Sequence, residues 1–155
     1  IYRFMGDMSV AEDLAQDTFF KLYTKKSSYK EIAKFSTWLY TIASNLAKTE
    51  LRKNKRRRTY TVSSLSKDDR EFVLQTPESE HVDEVSEVGQ EKVLQSALLE
   101  LDEEFRNIII LREIQELSYE SISTILKLPL GTVKSRINRG KIKLREILIN
   151  KGIKR

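Results

Sequence analysis

The residues best suited to chemistry lie near the C-terminus. Lys134, Ser135, Arg136, Asn138, Arg139, Lys141 and Lys143 surround a stripe of Val133, Ile137, Gly140 and Leu144 at i, i+4, i+7 and i+11. That spacing is the period of a helix with one apolar face. The other sides carry the cations, hydroxyl and amide that bond phosphate oxygens and base edges in a DNA major groove. Arg136 and Arg139 border the outward face and are the foremost readers of base or phosphate, joined by Tyr119, Thr132, Lys134, Ser135, Asn138 and Lys143. Upstream, Ser118 is placed to cap a short helix, residues 119–126, with Ile122, Ile125 and Leu126 inward and Tyr119 at its start. Lys127-Leu128-Pro129-Leu130-Gly131 then breaks it, because proline lacks an amide and glycine permits a tight turn. Short helix, turn and basic helix form a helix-turn-helix, whose second helix enters the groove. A basic helix alone is more often a solvated face of a bundle; turn, preceding helix and charge together favour DNA. One feature does not fit: Ile142 and Ile149 fall opposite the apolar stripe. Either the helix bends or ends early and buries them, or they form an exposed strip that a partner covers.

Two further sets lie near the N-terminus. Ser9 and Glu12 fit the capping box Ser-x-x-Glu, so a helix is expected to start near Val10. Ala11, Leu14, Ala15, Thr18, Phe19 and Leu22 then share an inner face, with Asp13, Gln16, Asp17 and Phe20 opposite. A phenylalanine among carboxylates is either a lone exposed aromatic or the apolar anchor of an acid-rimmed docking surface; periodicity does not separate the two. A second helix, from about Thr37 into Arg52-Lys53-Asn54-Lys55-Arg56-Arg57-Arg58, turns Trp38, Leu39, Ile42, Ala43 and Leu46 inward. It also sets Phe35, Trp38 and Tyr40 beside Lys48 and Arg52. Aromatics stack on unpaired bases while cations follow the backbone, although Trp38 and Phe35 also suit a core, which for Trp38 is the favoured reading.

Nothing assembles a reaction centre. The one histidine, His81, stands in a polar stretch, cysteine is absent, no phosphate-binding glycine loop occurs, and carboxylates are scattered over helix faces. No catalytic residue, metal or cofactor is therefore expected. A nucleic-acid enzyme is disfavoured against a binding protein, and a free-standing helix-turn-helix regulator stays as the alternative.

The elements that must position these residues are helical. Five glycines and two prolines in 155 residues are too few for the turns of a β-sandwich or Rossmann sheet. Charge runs basic, acidic, basic: 13 Lys and Arg against 6 Asp and Glu in residues 1–60, 3 against 9 in 61–95, and 12 against 8 in 96–155. Two cationic modules joined by an anionic connector suggest two contacts with one polyanion. The expected organisation is all-α: a helical domain over 1–58, a flexible acidic linker over 59–92, and a four-helix domain over 93–155 containing the helix-turn-helix. Within the last, Val93, Leu94, Ala97, Leu98 and Leu101 line one helix. Asp102 caps the next, whose run Ile108-Ile109-Ile110-Leu111 marks it as central, with Phe105 and Ile114 also inward. No apolar run approaches the roughly 20 residues that span a bilayer, so no membrane insertion is expected.

Three ordered motifs carry a resemblance. They are Ala11-Glu12-Asp13-Leu14-Ala15-Gln16-Asp17-Thr18-Phe19, then Phe35-Ser36-Thr37-Trp38-Leu39-Tyr40-Thr41-Ile42-Ala43-Ser44-Asn45-Leu46, then Leu117-Ser118-Tyr119-Glu120 with Gly131-Thr132-Val133-Lys134-Ser135-Arg136-Ile137-Asn138-Arg139-Gly140. In these the chain resembles the extracytoplasmic-function (ECF) class of bacterial RNA polymerase sigma factors, over nearly its whole length except the linker. The resemblance implies that Asp13, Gln16, Asp17 and Phe20 dock on the polymerase β′ clamp helices. It implies that residues 38–58, with Trp38, Asn45, Lys48, Arg52, Lys55 and Arg56, recognise and melt the −10 promoter element. It implies that the C-terminal module reads the −35 element and meets the β flap. An anti-sigma factor, often membrane-anchored, and a cytoplasmic location are further implications. The class often has an aspartate four residues after Asn45, where this chain has Thr49, and more helical sequence ahead of the position of Ile1.

Overall fold

A computed structural model describes residues 1–29, 34–64 and 87–153. Among them the regular structure is helical, as composition requires: α1 (Tyr2–Met5), α2 (Met8–Thr24), a 3-10 turn (Lys26–Ser28), α3 (Phe35–Ser64), α4 (Glu87–Glu100), α5 (Glu103–Ile109), a π-helical turn (Ile110–Ile114), α6 (Tyr119–Leu126) and α7 (Leu130–Asn150). Two helices reach into the expected linker, since 59–64 belong to α3 and 87–92 to α4. Residues 65–86, with Phe72-Val73-Leu74 and His81, lie outside the described residues.

Helix α2 is capped by Asp7, whose carboxylate accepts from the Val10 amide at 3.0 Å. It therefore starts at Met8, ahead of the Ser9 capping box. Asp and Ser are near-equal N-caps, so the motif alone does not choose between them. Ala11, Leu14 and Thr18 are buried, and the Thr18 hydroxyl donates to the Leu14 carbonyl at 2.6 Å. Phe19, expected on this inner face, is 66% exposed. It stands roughly a quarter-turn off the buried line, at 100° per residue, on the side of Tyr23.

Helix α3 lies between α2 and the C-terminal module, and its best-buried residues are small and polar. Thr37, Ser44 and Ala47 are buried, while Trp38, Leu39, Ile42, Ala43 and Leu46 are only half-buried. The reason is α6. Thr37 Oγ1 lies 3.5 Å from Ser121 Oγ, and the Tyr40 hydroxyl bonds the Gln115 side-chain oxygen. Small hydroxyl residues let the helices approach and keep the polar atoms paired.

The modules share one core. Phe4, Leu14 and Ala47 belong to the same cluster as Leu98, Leu101, Phe105, Ile108, Ile109, Leu111, Ile122, Ile125, Val133 and Ile137. The run from Ile108 to Leu111 is central, as its all-round apolarity requires. Ile114, expected inside, is 38% exposed. The π turn explains this: the Gln115 amide bonds the Ile110 carbonyl, one residue further back than in an α-helix, and shifts the register of everything after it. Gly140 brings α7 onto α5, since a Cβ there would stand 2.9 Å from Ile109 Cγ1.

Candidate nucleic-acid interface

Ser118 caps α6, its hydroxyl accepting from the Ser121 amide at 3.1 Å. The helix ends at Lys127, which adopts φ 54°, and the Ser123 hydroxyl donates to the Leu128 carbonyl at 2.6 Å to close the turn. Pro129 is the N-cap of α7, so Gly131 sits in its first turn with open space around it. The left-handed residue of this turn is therefore Lys127, not the glycine the sequence suggested. The Glu120 carboxyl is held below its usual range by its own backbone amide, then by the Ser118 hydroxyl, which sets a negative charge on the first turn of α6.

Along α7, Val133, Ile137 and Gly140 are buried and Leu144 is half-buried, which fixes the other faces. Lys134, Ser135, Asn138 and Arg139 are exposed, with Thr132 half-buried beside them. Arg136 is placed differently from the expectation of an outward reader. Its side chain is 27% exposed and pairs with Glu104 at 2.8 Å. Lys143 pairs with Asp102 at 2.8 Å and lies 4.6 Å from the centre of the Phe105 ring. Lys141 pairs with Glu113 at 3.0 Å. Tyr119 is half-buried beneath the Arg112 guanidinium, 4.9 Å from its ring centre. The freely outward set is thus Lys134, Ser135, Asn138 and Arg139. Helix α7 runs unbroken to Asn150, so Ile142 and Ile149 do not bury by bending; each is 52% exposed.

On α3, Asn45, Arg52, Lys55 and Arg56 are exposed. Trp38 packs against Tyr29, at 5.1 Å between ring centres, and against Phe35, at 5.9 Å, leaving Phe35 half-open to solvent. Lys48 turns the other way, into a cleft of about 520 Å³ between the modules lined by Arg52, Asp102, Glu103, Glu104, Asn107 and Arg136. Burial holds its ammonium below the usual lysine range; Glu103 opposes that shift, and Arg52 and Arg136 add to it. The fold thus gathers Lys48, Arg52 and Arg136 around one cleft and leaves Asn45, Lys55 and Arg56 outside it.

On α2, Asp13, Gln16, Asp17 and Phe20 are all exposed, Phe20 by 68%. Phe19 and Tyr23 widen this patch, and Lys26 sits 4.9 Å from the Tyr23 ring centre. By periodicity Phe19 belongs to the inner stripe of α2, yet it is exposed. The signal available was three aromatics within five residues, more than one inner stripe can take. Among the described residues no group of His, Cys, Asp and Glu could hold a metal ion, and no helix is long and apolar enough to cross a membrane.

Residues 1–57 match the family described as Sigma-70 region 2, and residues 91–144 match Sigma-70, region 4. The chain is 36% identical over 149 residues to the ECF RNA polymerase sigma factor SigW of Bacillus subtilis, covering 95% of this chain and 80% of that protein. It is 35% identical over 150 residues to the RNA polymerase sigma-H factor of Pseudomonas aeruginosa, covering 91% and 74%. Its fold matches the sigma factor RpoE solved in complex with the anti-sigma factor NepR from Bartonella quintana, with a TM-score of 0.73 and 26% identity over 95% of this chain and 86% of that one. The chain belongs to the sigma-70 family, in its ECF class of RNA polymerase sigma factors. Such factors direct transcription initiation at promoters.

Proposed function

We propose that the chain directs RNA polymerase core to two-element promoters through three separate surfaces. The exposed α2 face of Asp13, Gln16, Asp17 and Phe20 docks on the polymerase β′ clamp helices, with Phe19 and Tyr23 extending it. The outer side of α3, with Asn45, Lys55 and Arg56 beside the Tyr29–Phe35–Trp38 cluster, engages the −10 element, and Lys48 and Arg52 join once the cleft opens. The face of Lys134, Ser135, Asn138 and Arg139 on α7 reads the −35 element. Like its relatives, the chain acts as a non-catalytic initiation factor. An anti-sigma factor is its natural inhibitor, and the β flap is the second polymerase contact of the C-terminal module.

The observation that carries this reading is the coexistence, in one chain, of a capped helix-turn-helix with an outward polar face and a distant acid-rimmed aromatic patch. A free-standing regulator needs the first and has no use for the second. In vitro transcription with core polymerase tests it. Specific transcripts should appear only when the chain is added, and initiation that is the same with and without it would refute the proposal.

A further inference from the structure

Cations on a DNA-reading helix usually point at solvent, yet on α7 Arg136, Lys141 and Lys143 each hold a carboxylate of the same chain. Two of those carboxylates, Asp102 and Glu104, are two residues apart, at the N-cap and in the first turn of α5. Between them Glu103 faces the other module and raises the affinity of Lys48 for its proton across the cleft. Three consecutive acids therefore stand between the cationic helix of each module. Geometry fixes this arrangement: Gly140 brings α7 against α5, and the Phe105 ring lies beneath Lys143 and Arg139, at 4.6 and 5.9 Å.

We infer that Asp102 and Glu104 are positioning residues for DNA reading, internal counter-ions that occupy Arg136 and Lys143 in place of DNA phosphate. A cation that stays with its carboxylate neutralises no phosphate, so it frees none of the ions condensed on DNA and adds little to sequence-independent affinity. The outward residues Lys134, Ser135, Asn138 and Arg139 then carry a larger share of the interaction, and these include the groups that discriminate base edges. The acids thus lower affinity for arbitrary DNA and leave the base-reading face in place. This inference rests on α7 being the DNA face.

The test uses the full chain and a 20-base-pair duplex of arbitrary sequence, with binding followed by fluorescence anisotropy from 50 to 200 mM salt. In the variant Asp102→Asn/Glu104→Gln no side-chain cap of α5 is lost, because the Asp102 carboxylate bonds Lys143 and no helix amide, and the melting temperature checks that it folds. Freeing two cations should steepen the slope of log K against log salt by about 1 to 2, at roughly 0.9 per phosphate contact, and raise affinity several-fold at the lowest salt. Glu104→Gln alone should give about half the effect, and Glu104→Asp, which keeps the charge, little of it. Lys134→Ala is the control and should flatten the slope by about 1. If Lys134→Ala flattens the slope but the double variant leaves it unchanged, the counter-ion role is overturned and the DNA face stands. If neither variant moves the slope, α7 is not the DNA face, and both readings fail together.

Discussion

The guanidinium of Arg106, on α5, donates at 2.9 Å to the backbone carbonyl of Phe4, 102 residues away at the other end of the fold. The same side chain donates to the carbonyls of Leu99, at 2.7 Å, and Leu101, at 3.0 Å, and packs over the Phe4 ring. One planar fork thus ties α1 to the turn between α4 and α5, a geometry that a lysine point charge cannot reproduce. Arg106→Met keeps the stem and removes the fork. We expect a loss of about 2–3 kcal/mol, the scale for hydrogen bonds from a charged donor. In the unaltered chain, Trp38 fluorescence and far-ultraviolet dichroism should melt together, because the modules share a core. In Arg106→Met the two transitions should separate; coincident melting with no loss of stability would contradict the tie.

The two glycines of α7 should respond to alanine with opposite signs. A Cβ at Gly131 meets nothing within 4 Å, so Gly131→Ala should stabilise by up to about 1 kcal/mol through helix propensity. At Gly140 the same Cβ meets Ile109 Cγ1 at 2.9 Å and Cδ1 at 3.1 Å. Overpacking there costs about 1–3 kcal/mol, which should outweigh the propensity gain. Chemical denaturation of both variants checks this, and equal shifts would mean that α7 does not press on α5 as described.

Phe20→Ala should leave the melting temperature within a few degrees of the unaltered chain, because the side chain is 68% exposed. Binding to core polymerase should weaken by about 2 kcal/mol or more, the scale for a buried aromatic anchor. Titration of labelled chain with core polymerase measures it; undiminished affinity would remove α2 from the docking surface.

Asn138 and Arg139 should behave differently from Arg136. Losing a bidentate base contact costs about 1–3 kcal/mol at one position of the site. Asn138→Ala should therefore relax preference at one position of the −35 element, and Arg139→Ala should do so or weaken all sequences alike. Arg136→Ala should change promoter preference least, because that side chain is held by Glu104. A −35 variant library bound by holoenzyme separates these outcomes, and the largest loss of preference at Arg136 would contradict the assignment.

Much of the C-terminal module was legible because its signals are local. The Ser118 cap follows from residue type, the stripe of Val133, Ile137 and Gly140 from 3.6-residue periodicity, and the central place of Ile108 to Leu111 from a run apolar on every side. What escaped depends on distant contacts or on backbone detail. Thr37 and Ser44 lie outside the inward stripe that periodicity gives α3, yet both are buried, Thr37 against Ser121 of α6 and Ser44 beside Phe4, Ile110 and Leu111. Ile114 and Phe19 read as core: the π turn displaces the first, and the buried line of α2 passes the second by. Arg136 and Arg139 look equivalent in sequence, and only the position of Glu104, 32 residues before Arg136, tells them apart.

On the proposed function, one chain reads two separated promoter elements for RNA polymerase. Its most direct test is transcription by core polymerase and the full chain from a library of randomised upstream sequences, with the productive templates sequenced. Two enriched blocks at a fixed separation are expected, of which Asn138→Ala relaxes only the upstream one. A single enriched block, or enrichment indifferent to the spacing between two, would contradict it.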